Sequence, residues 1–363
     1  MIDMRPVLIM AGGTGGHVFP ALAVADELRL RGVPVVWLGT KVGIESRLVP
    51  QAGYPIEWMS VTGLRGKNTI TLLLAPLRLT MACWQAFMVI LKRKPCAVLG
   101  MGGFASGPGG LVAWLMRKPL VVHEQNAIPG LTNKVLAKLA TVVLQAFPGV
   151  FKKASTTGNP VRQSICDIEK PESRISQRAN NQSEKLRLLI IGGSLGAVKL
   201  NEIIPQALAK IDSEQRPQVR HQTGLKNIES AKSNYAAVAV VADVEAFIDD
   251  MPAAYEWADL VICRSGAMTV FELAAVGVAS VLVPYPHAVD DHQTYNAHYL
   301  EKAGAAIIKQ QQELTVEWLA EIIDQFSSDR KKLLDMAVAA RKLAIPGSAK
   351  KIADVCLTAG GIA

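Results

Sequence analysis

Three stretches of this 363-residue chain combine an apolar strand, a cluster of glycines and a polar residue placed where a ligand could be met. The first, Val7-Leu8-Ile9-Met10-Ala11-Gly12-Gly13-Thr14-Gly15-Gly16-His17, ends in an imidazole, which can take up a proton near neutral pH. The second, Leu188-Leu189-Ile190-Ile191-Gly192-Gly193-Ser194, repeats the pattern 180 positions later, and Gly102-Gly103-Phe104-Ala105-Ser106-Gly107-Pro108 follows the apolar run Ala97-Val98-Leu99. A glycine loop that leaves a strand and opens a helix brings backbone N–H groups close to an anion, so the chemistry suggested is the holding of a phosphate or diphosphate. Close helix–strand packing is the other use of such glycines, and for each loop taken singly both remain open.

Further polar clusters stand at predicted strand ends. His123-Glu124-Gln125-Asn126 closes Leu120-Val121-Val122, and Arg264-Ser265-Gly266-Ala267-Met268-Thr269-Val270-Phe271-Glu272 reads as a strand end, a turn and a helix start. Free N–H groups there suit a phosphate, and the Glu272 carboxylate could accept two hydrogen bonds from a ribose diol or be a solvated first-turn acid. Asp291-His292-Gln293-Thr294-Tyr295-Asn296 offers amide and hydroxyl partners of the kind a sugar needs.

Several chemistries are disfavoured. After Gly13-Thr14-Gly15 the third dinucleotide glycine is replaced by Val18, and the next strand ends Trp37-Leu38-Gly39-Thr40 without a carboxylate for a ribose. There is no GxxxxGK[ST]; Gly63-Leu64-Arg65-Gly66-Lys67-Asn68 has the wrong spacing. Five scattered cysteines without CxxC read as reduced and structural, which with the absence of a signal-peptide core after Met1 places the protein in the cytosol.

The elements that must position these groups alternate between buried strands and helical patterns. Strands are expected at Val7–Met10, Val35–Leu38, Ala97–Leu99 and Leu120–Val122, and again at Leu188–Ile191, Leu260–Cys263 and Ser280–Val283. Two doubly wound α/β domains follow, residues 1–160 and 161–341, with a terminal helix from about 342 to 363 able to pack on either. Residues 169–184 are polar and read as a loop or short exposed helix.

The net charge is +8, but residues 1–160 carry +11 and the remainder −3. A cationic half points to an anionic partner: nucleic acid, acidic lipid or phosphorylated substrate. Nucleic acid is disfavoured, since the basic half has no aromatic stacking set or reader motif. Residues 69–91 are apolar enough to raise a membrane span, against which Pro76, Arg78 and Gln85 speak. Thr71, Arg78, Gln85 and Lys92 form one polar stripe, leaving Leu73, Leu77, Trp84, Phe87 and Leu91 for burial in the domain and for a bilayer. Arg65, Lys67, Lys92-Arg93-Lys94 and Arg117-Lys118 would each add about 1 kcal/mol of attraction to anionic headgroups.

Taken in order, the glycine loops, His123–Asn126, Gly158-Asn159-Pro160-Val161-Arg162, Gly192-Gly193-Ser194, Arg264–Ala267, Gln293 and Asn296 resemble the MurG family, peptidoglycan N-acetylglucosaminyltransferases that convert lipid I to lipid II. The likeness spans nearly the whole chain. Leu195, where relatives often have Gln, and a longer loop at Ala288-Val289-Asp290 depart from the pattern and bear on local loop geometry.

The resemblance implies a GT-B architecture, two Rossmann-like domains facing a cleft, with the lipid acceptor and membrane on the amino-terminal domain and UDP-N-acetylglucosamine on the other. It implies that Ile248 contacts the uracil, that Ala267, Met268, Thr269, Val270, Phe271 and Glu272 hold phosphate and ribose, and that Gln293 binds sugar hydroxyls. Ser194 and Arg162 then serve the diphosphate, while Thr14, Gly15, Gly16 and Asn126 reach the donor sugar. The implied reaction is attack of the muramyl C4 hydroxyl on the anomeric carbon with inversion and departure of UDP. It needs a base, for which His17 is the candidate, with Glu124 as rival or orienting partner. No Asp-x-Asp is present, so helix dipoles and Arg162 are expected to replace a metal, with no cofactor. Another UDP-sugar enzyme of the same architecture, a glycolipid glycosyltransferase or an epimerase, is the alternative. Peripheral attachment at the cytoplasmic face of the plasma membrane completes the expectation.

Overall fold

The computed structural model describes residues 5–61, 75–179, 184–193 and 196–362. The chain divides into two compact units, Met1–Val161 with Gly347–Ala363, and Arg162–Pro346.

The first unit is built on a parallel sheet of β1 (Val7–Met10), β2 (Val35–Gly39), β3 (Ile56–Trp58), β4 (Ala97–Gly100), β5 (Leu120–Glu124), β6 (Val142–Gln145) and β7 (Ser155–Thr156), in the order β3-β2-β1-β4-β5-β6-β7. Uninterrupted apolar strands are what a sheet covered on both faces requires. Along β1, Val7 and Ile9 join one core layer with Val18, Val24 and Leu28 of helix Gly15–Leu30 and with Ile352 and Cys356 of helix Ser348–Ala359. Leu8 and Met10 face the opposite layer, with Ala82, Ala86 and Ile90 of helix Ala75–Arg93 and Val112 of helix Ser106–Leu115. The terminal helix after Pro346 therefore packs on the first unit. Helix Arg330–Lys342 stays with the second.

The second unit carries a parallel sheet of β8 (Arg187–Ile191), β9 (Gln218–Gln222), β10 (Asp243–Glu245), β11 (Leu260–Cys263), β12 (Ala279–Leu282) and β13 (Ala306–Ile308), ordered β10-β9-β8-β11-β12-β13. Its core joins Leu188, Ile190, Leu260, Ile262 and Val281 to Leu200, Ile204, Leu319, Ile323 and Phe326. Of the loop or short exposed helix expected at 169–184, residues 171–179 are the helix, but it is not simply exposed: Arg174 is buried, donating to the Tyr255 and Gly277 carbonyls at 2.9 and 2.7 Å.

In both sheets the strand order reverses direction between the first strand and its crossover neighbour: β1 and β4 in one unit, β8 and β11 in the other. Crevices at the carboxyl ends of such a pair are where doubly wound sheets take ligands. All the glycine loops singled out by type and spacing leave these four strands.

Candidate active site

In the first unit the loops after β1 and β4 touch backbone to backbone. A Cβ on Gly103, whose φ is +85°, would lie 2.3 Å from the Gly12 carbonyl oxygen, so only glycine permits the approach. The β1 loop is fixed from its other side by Glu45, a fully buried carboxylate that accepts from Gly13 N at 2.9 Å, Thr40 N at 3.0 Å and Thr40 Oγ1 at 2.6 Å. Cβ atoms on Gly12 and Gly39 would fall 2.6 and 2.9 Å from its side chain, and Gly43 is crowded more closely still. Part of the glycine signal thus belongs to a buried acid. Reading along the chain missed Glu45, since one of its two partners, Gly13, lies 32 positions away; the closeness of Gly39 and Gly43 to it was the available sign.

The polypeptide turns into helix Gly15–Leu30 at Thr14, whose φ and ψ of −126° and 160° make it the N-cap. Hydrogen bonding within the helix starts at His17 N, leaving the Gly15 and Gly16 amides without an acceptor among the described residues. They can receive an oxygen anion or a sugar hydroxyl. His17 projects from this first turn, half-buried, with Nδ1 2.9 Å from Gln125 Oε1 and Nε2 without a partner among the described residues. Its ring lies against Gly102, where a Cβ would come within 2.8 Å of it.

Glu124 sits differently. Its carboxylate is 1% exposed; Oε1 accepts from Asn126 N at 2.9 Å and Asn126 Nδ2 at 3.3 Å, and Oε2 from Gly130 N at 3.2 Å and Asn133 Nδ2 at 2.9 Å. Four donors on one buried carboxylate organise the loop that carries Asn126. Gly158 and Asn159 brace the same loop: the Gly158 carbonyl oxygen lies 3.0 Å from His123 Nε2, and Asn159 Nδ2 donates to the Gln125 carbonyl at 3.0 Å.

In the second unit Gly266 caps helix Ala267–Val276, and the first intrahelical bond runs from Val270 N to Gly266 O. The Ala267, Met268 and Thr269 amides remain open to an anion. Val270 and Phe271 are buried, Phe271 stacked on Tyr299 at 5.4 Å, so a ligand can meet this turn through its amides and through Met268, Thr269 and Glu272. Glu272 is 16% exposed; Tyr255 donates its hydroxyl to Oε2 at 3.0 Å, and Arg162 stands 4.0 Å from Oε1. Burial pushes the Glu272 carboxyl above the usual range, opposed by Arg162 and by the Tyr255 hydrogen bond.

Gln293 accepts from Tyr285 N at 2.9 Å and keeps its amide nitrogen without a partner among the described residues. Before it, Asp290 and Asp291 both have φ above +50°, so the longer loop is accommodated by two left-handed residues in succession. Asn296 is buried, donating to Ser265 O at 3.2 Å, and Arg264 is tied to the Val283 and Pro284 carbonyls and to Gln311. Both support the loop after β11. Ile248 is buried, with its backbone N–H and C=O unpaired among the described residues. Ser194 and Leu195 lie outside the described residues. Among those described, no group of three or more His, Cys, Asp or Glu is placed to hold a metal.

On the other face of the first unit, helix Ala75–Arg93 exposes one apolar stripe of Leu77, Met81, Trp84, Met88 and Leu91, Trp84 being 61% exposed. Phe87 is half-buried and stacks on Trp84 at 5.7 Å. The polar stripe expected beside it is in part engaged. Gln85 accepts from Ser60 N at 2.7 Å, and Lys92 and Arg93 pair with Glu57 at 3.3 and 2.6 Å, so the basic cluster is partly neutralised. Trp114 and Leu115 of the neighbouring helix are also exposed, followed by Arg117 and Lys118. No helix among the described residues is long and apolar enough to cross a membrane. Arg65, Lys67, Thr71 and Leu73 lie outside the described residues.

Residues 7–145 match the Glycosyltransferase family 28 N-terminal domain and residues 187–353 the Glycosyltransferase family 28 C-terminal domain. The calicheamicin glycosyltransferase CalG4 shares the fold at a TM-score of 0.69 over 99% of both chains, with 16% identity. Two doubly wound units with ligand loops at their switch points, carrying these two domains in this order, define a GT-B glycosyltransferase. A solved MurG from Acinetobacter baumannii is 40% identical, with a TM-score of 0.85 over 98% of this chain and 99% of that one. The UDP-N-acetylglucosamine–N-acetylmuramyl-(pentapeptide) pyrophosphoryl-undecaprenol N-acetylglucosamine transferase of Marinobacter nauticus is 52% identical over 98% of both chains, and that of Nitrosococcus oceani 53% over 97% of this chain and 98% of its own. The chain belongs to the MurG family.

Proposed function

We propose that this protein transfers N-acetylglucosamine from UDP-N-acetylglucosamine to the C4 hydroxyl of the muramyl sugar of lipid I, with inversion, to form lipid II. The observation that carries the reading is His17: an imidazole on the first turn after the β1 loop, tethered through Nδ1 and open at Nε2, in a chain of this family. A single displacement needs a base for the attacking hydroxyl and positive dipoles for the departing diphosphate. His17 Nε2 takes the proton. Glu124 is occupied by four donors, so its part is to hold the loop of Asn126.

The second unit binds the donor. The Ala267, Met268 and Thr269 amides and Arg162 receive the diphosphate with Ser194, Glu272 takes the ribose hydroxyls, Ile248 presents its backbone to the uracil, and Gln293 binds the sugar. Thr14, the Gly15 and Gly16 amides and Asn126 complete the sugar contacts. The diphosphate charge is met by helix dipoles and a guanidinium, so turnover is expected to survive strong chelation. Lipid I is met at a membrane surface: the apolar stripe of helix Ala75–Arg93, with Arg78, Lys94, Arg117 and Lys118, suits peripheral binding to the anionic cytoplasmic leaflet. The basic charge serves lipid and not nucleic acid.

UDP release is measured with UDP-N-acetylglucosamine or UDP-glucose, with and without a lipid I analogue. Acceptor-dependent release confined to the N-acetyl sugar is expected, with His17→Ala slower by roughly 100-fold or more. Acceptor-independent turnover would favour an epimerase, and near-normal turnover of His17→Ala would remove the base. Flotation with anionic vesicles should weaken with salt and in Trp84→Ser; equal binding to neutral vesicles would remove the headgroup contribution.

A further inference from the structure

Four groups in the first unit form one hydrogen-bonded line: Gly158 O, the His123 ring, the Gln125 side chain and the His17 ring. His123 Nε2 lies 3.0 Å from Gly158 O, Gln125 Nε2 lies 3.1 Å from His123 Nδ1 and 3.0 Å from His123 O, and Gln125 Oε1 lies 2.9 Å from His17 Nδ1. His123 and Gln125 are both fully buried.

Each junction has a fixed polarity. A carbonyl oxygen only accepts, so the His123 nitrogen facing Gly158 O carries a proton. Burial lowers the His123 ring to about 4, against a smaller opposing effect of the Gly158 bond, so it is neutral at working pH and its Nδ1 is an acceptor. The Gln125 amide must then present its NH2 to His123 Nδ1 and His123 O; turned over, it would set its oxygen against two acceptors. This orientation leaves Oε1 toward His17, where the only complementary partner is a protonated Nδ1. A neutral imidazole protonated at Nδ1 has its lone pair on Nε2.

We infer that Gln125, locked by His123 and the Gly158 carbonyl, is a positioning residue that holds His17 in the Nδ1–H tautomer and so leaves Nε2 as the proton acceptor. The inference rests on His17 being the base and specifies how one nitrogen is chosen. It assigns parts to two residues that make no contact with substrate in the proposed mechanism, and it gives Gly158 a part in the site as well as in the chain's passage to the second unit.

The test reads the tautomer directly. The full-length chain, labelled with 15N-histidine, has six imidazoles, and the His17 signals are those lost in His17→Gln. Long-range 1H–15N spectra above the titration range should show His17 protonated at Nδ1 and His123 at Nε2. In Gln125→Leu the His17 preference should disappear and kcat should fall roughly 10- to 100-fold, with KM for UDP-N-acetylglucosamine within about 3-fold. Gln125→Glu keeps one oxygen on the Nδ1 proton, and its second oxygen, set against the His123 Nδ1 and His123 O acceptors, must carry a proton; in that neutral form it should retain the tautomer. His17 protonated at Nε2 in the wild-type chain overturns the inference whether or not any variant folds. So does a Gln125→Leu protein that loses kcat with its tautomer unmoved, which is what a purely structural role gives. The spectra need no turnover, so failure of His17 as base, shown by an active His17→Ala, stays separate from failure of the relay.

Discussion

Exchanging Glu45 for Gln alters one oxygen of a fully buried carboxylate and nothing of its shape, which makes the cost of the β1 loop's anchor measurable. Oε1 serves Thr40 N and Thr40 Oγ1, and Oε2 serves Gly13 N at 2.9 Å. If the new amide keeps its oxygen on the Thr40 pair, its NH2 meets the Gly13 N–H donor to donor. If it turns over, its oxygen takes the Gly13 N–H and the Thr40 hydroxyl can rotate to accept from its NH2, but the buried Thr40 N–H is left facing a donor. The milder case forfeits one charge-assisted hydrogen bond and leaves a half-buried N–H without its acceptor, together about 3 kcal/mol. For a unit of this size that is a fall in melting temperature of roughly 10 °C. The three glycines moulded to the Glu45 side chain leave no space for a compensating shift. Gly13 precedes the Thr14 cap, so turnover in the UDP-release assay should fall with the loop's order. Glu301→Gln, which changes an exposed partner of His298, is the control and should melt with the wild type. A Glu45→Gln protein melting within about 2 °C of wild type, with unchanged turnover, would refute the view that this carboxylate holds the loop.

Gly103→Ala sets a Cβ 2.3 Å from the Gly12 carbonyl at a φ of +85°, backbone against backbone, and should cost more than about 3 kcal/mol and abolish turnover; a normally stable, active variant would show that the two loops can separate freely. Acid should weaken both units through buried neutral histidines. Desolvation lowers His123 to about 4 and His221 to about 3, below the 6.5 of an exposed imidazole, so their stabilisation is complete above about pH 6.5 and is lost as the pH falls toward 4, by about 3 kcal/mol or more each. Urea midpoints between pH 7.5 and 4.5 report it, and a flat profile would contradict the assignment. Tyr255→Phe removes the hydroxyl that holds Glu272 Oε2 and should raise KM for UDP-N-acetylglucosamine by roughly 3- to 10-fold with kcat little changed; an unaltered KM would detach Glu272 from donor binding.

The central strands were legible because their signal is local. Val7–Met10, Leu188–Ile191 and Leu260–Cys263 are unbroken apolar runs before polar or glycine-rich turns, and a strand buried on both faces has no other composition open to it. The outer strands were not. Gln218-Val219-Arg220-His221-Gln222 is polar to the eye, yet it is β9, with His221 buried through a 2.9 Å bond to the Tyr235 hydroxyl and Gln222 donating to the Gly193 carbonyl. Residues 171–179 read as solvated for the same reason, since the acceptors that let Arg174 be buried lie 81 and 103 positions away.

The sequence by itself determined two doubly wound units, the loops at their switch points, and residue types suited to a diphosphate and a sugar, all carried by spacing within some ten residues. Tertiary structure alone decided which of two acids and bases is engaged and which is open. Glu124 reads from the sequence as a rival base or an orienting partner, and in space it accepts four hydrogen bonds from three neighbours, Asn126, Gly130 and Asn133. His17 and Gln125 stand 108 positions apart and meet because β1, β4 and β5 lie side by side in the sheet. Hydrogen-bond donors and acceptors are satisfied through space, so the state of an imidazole depends on strand order, which no local pattern of residues encodes.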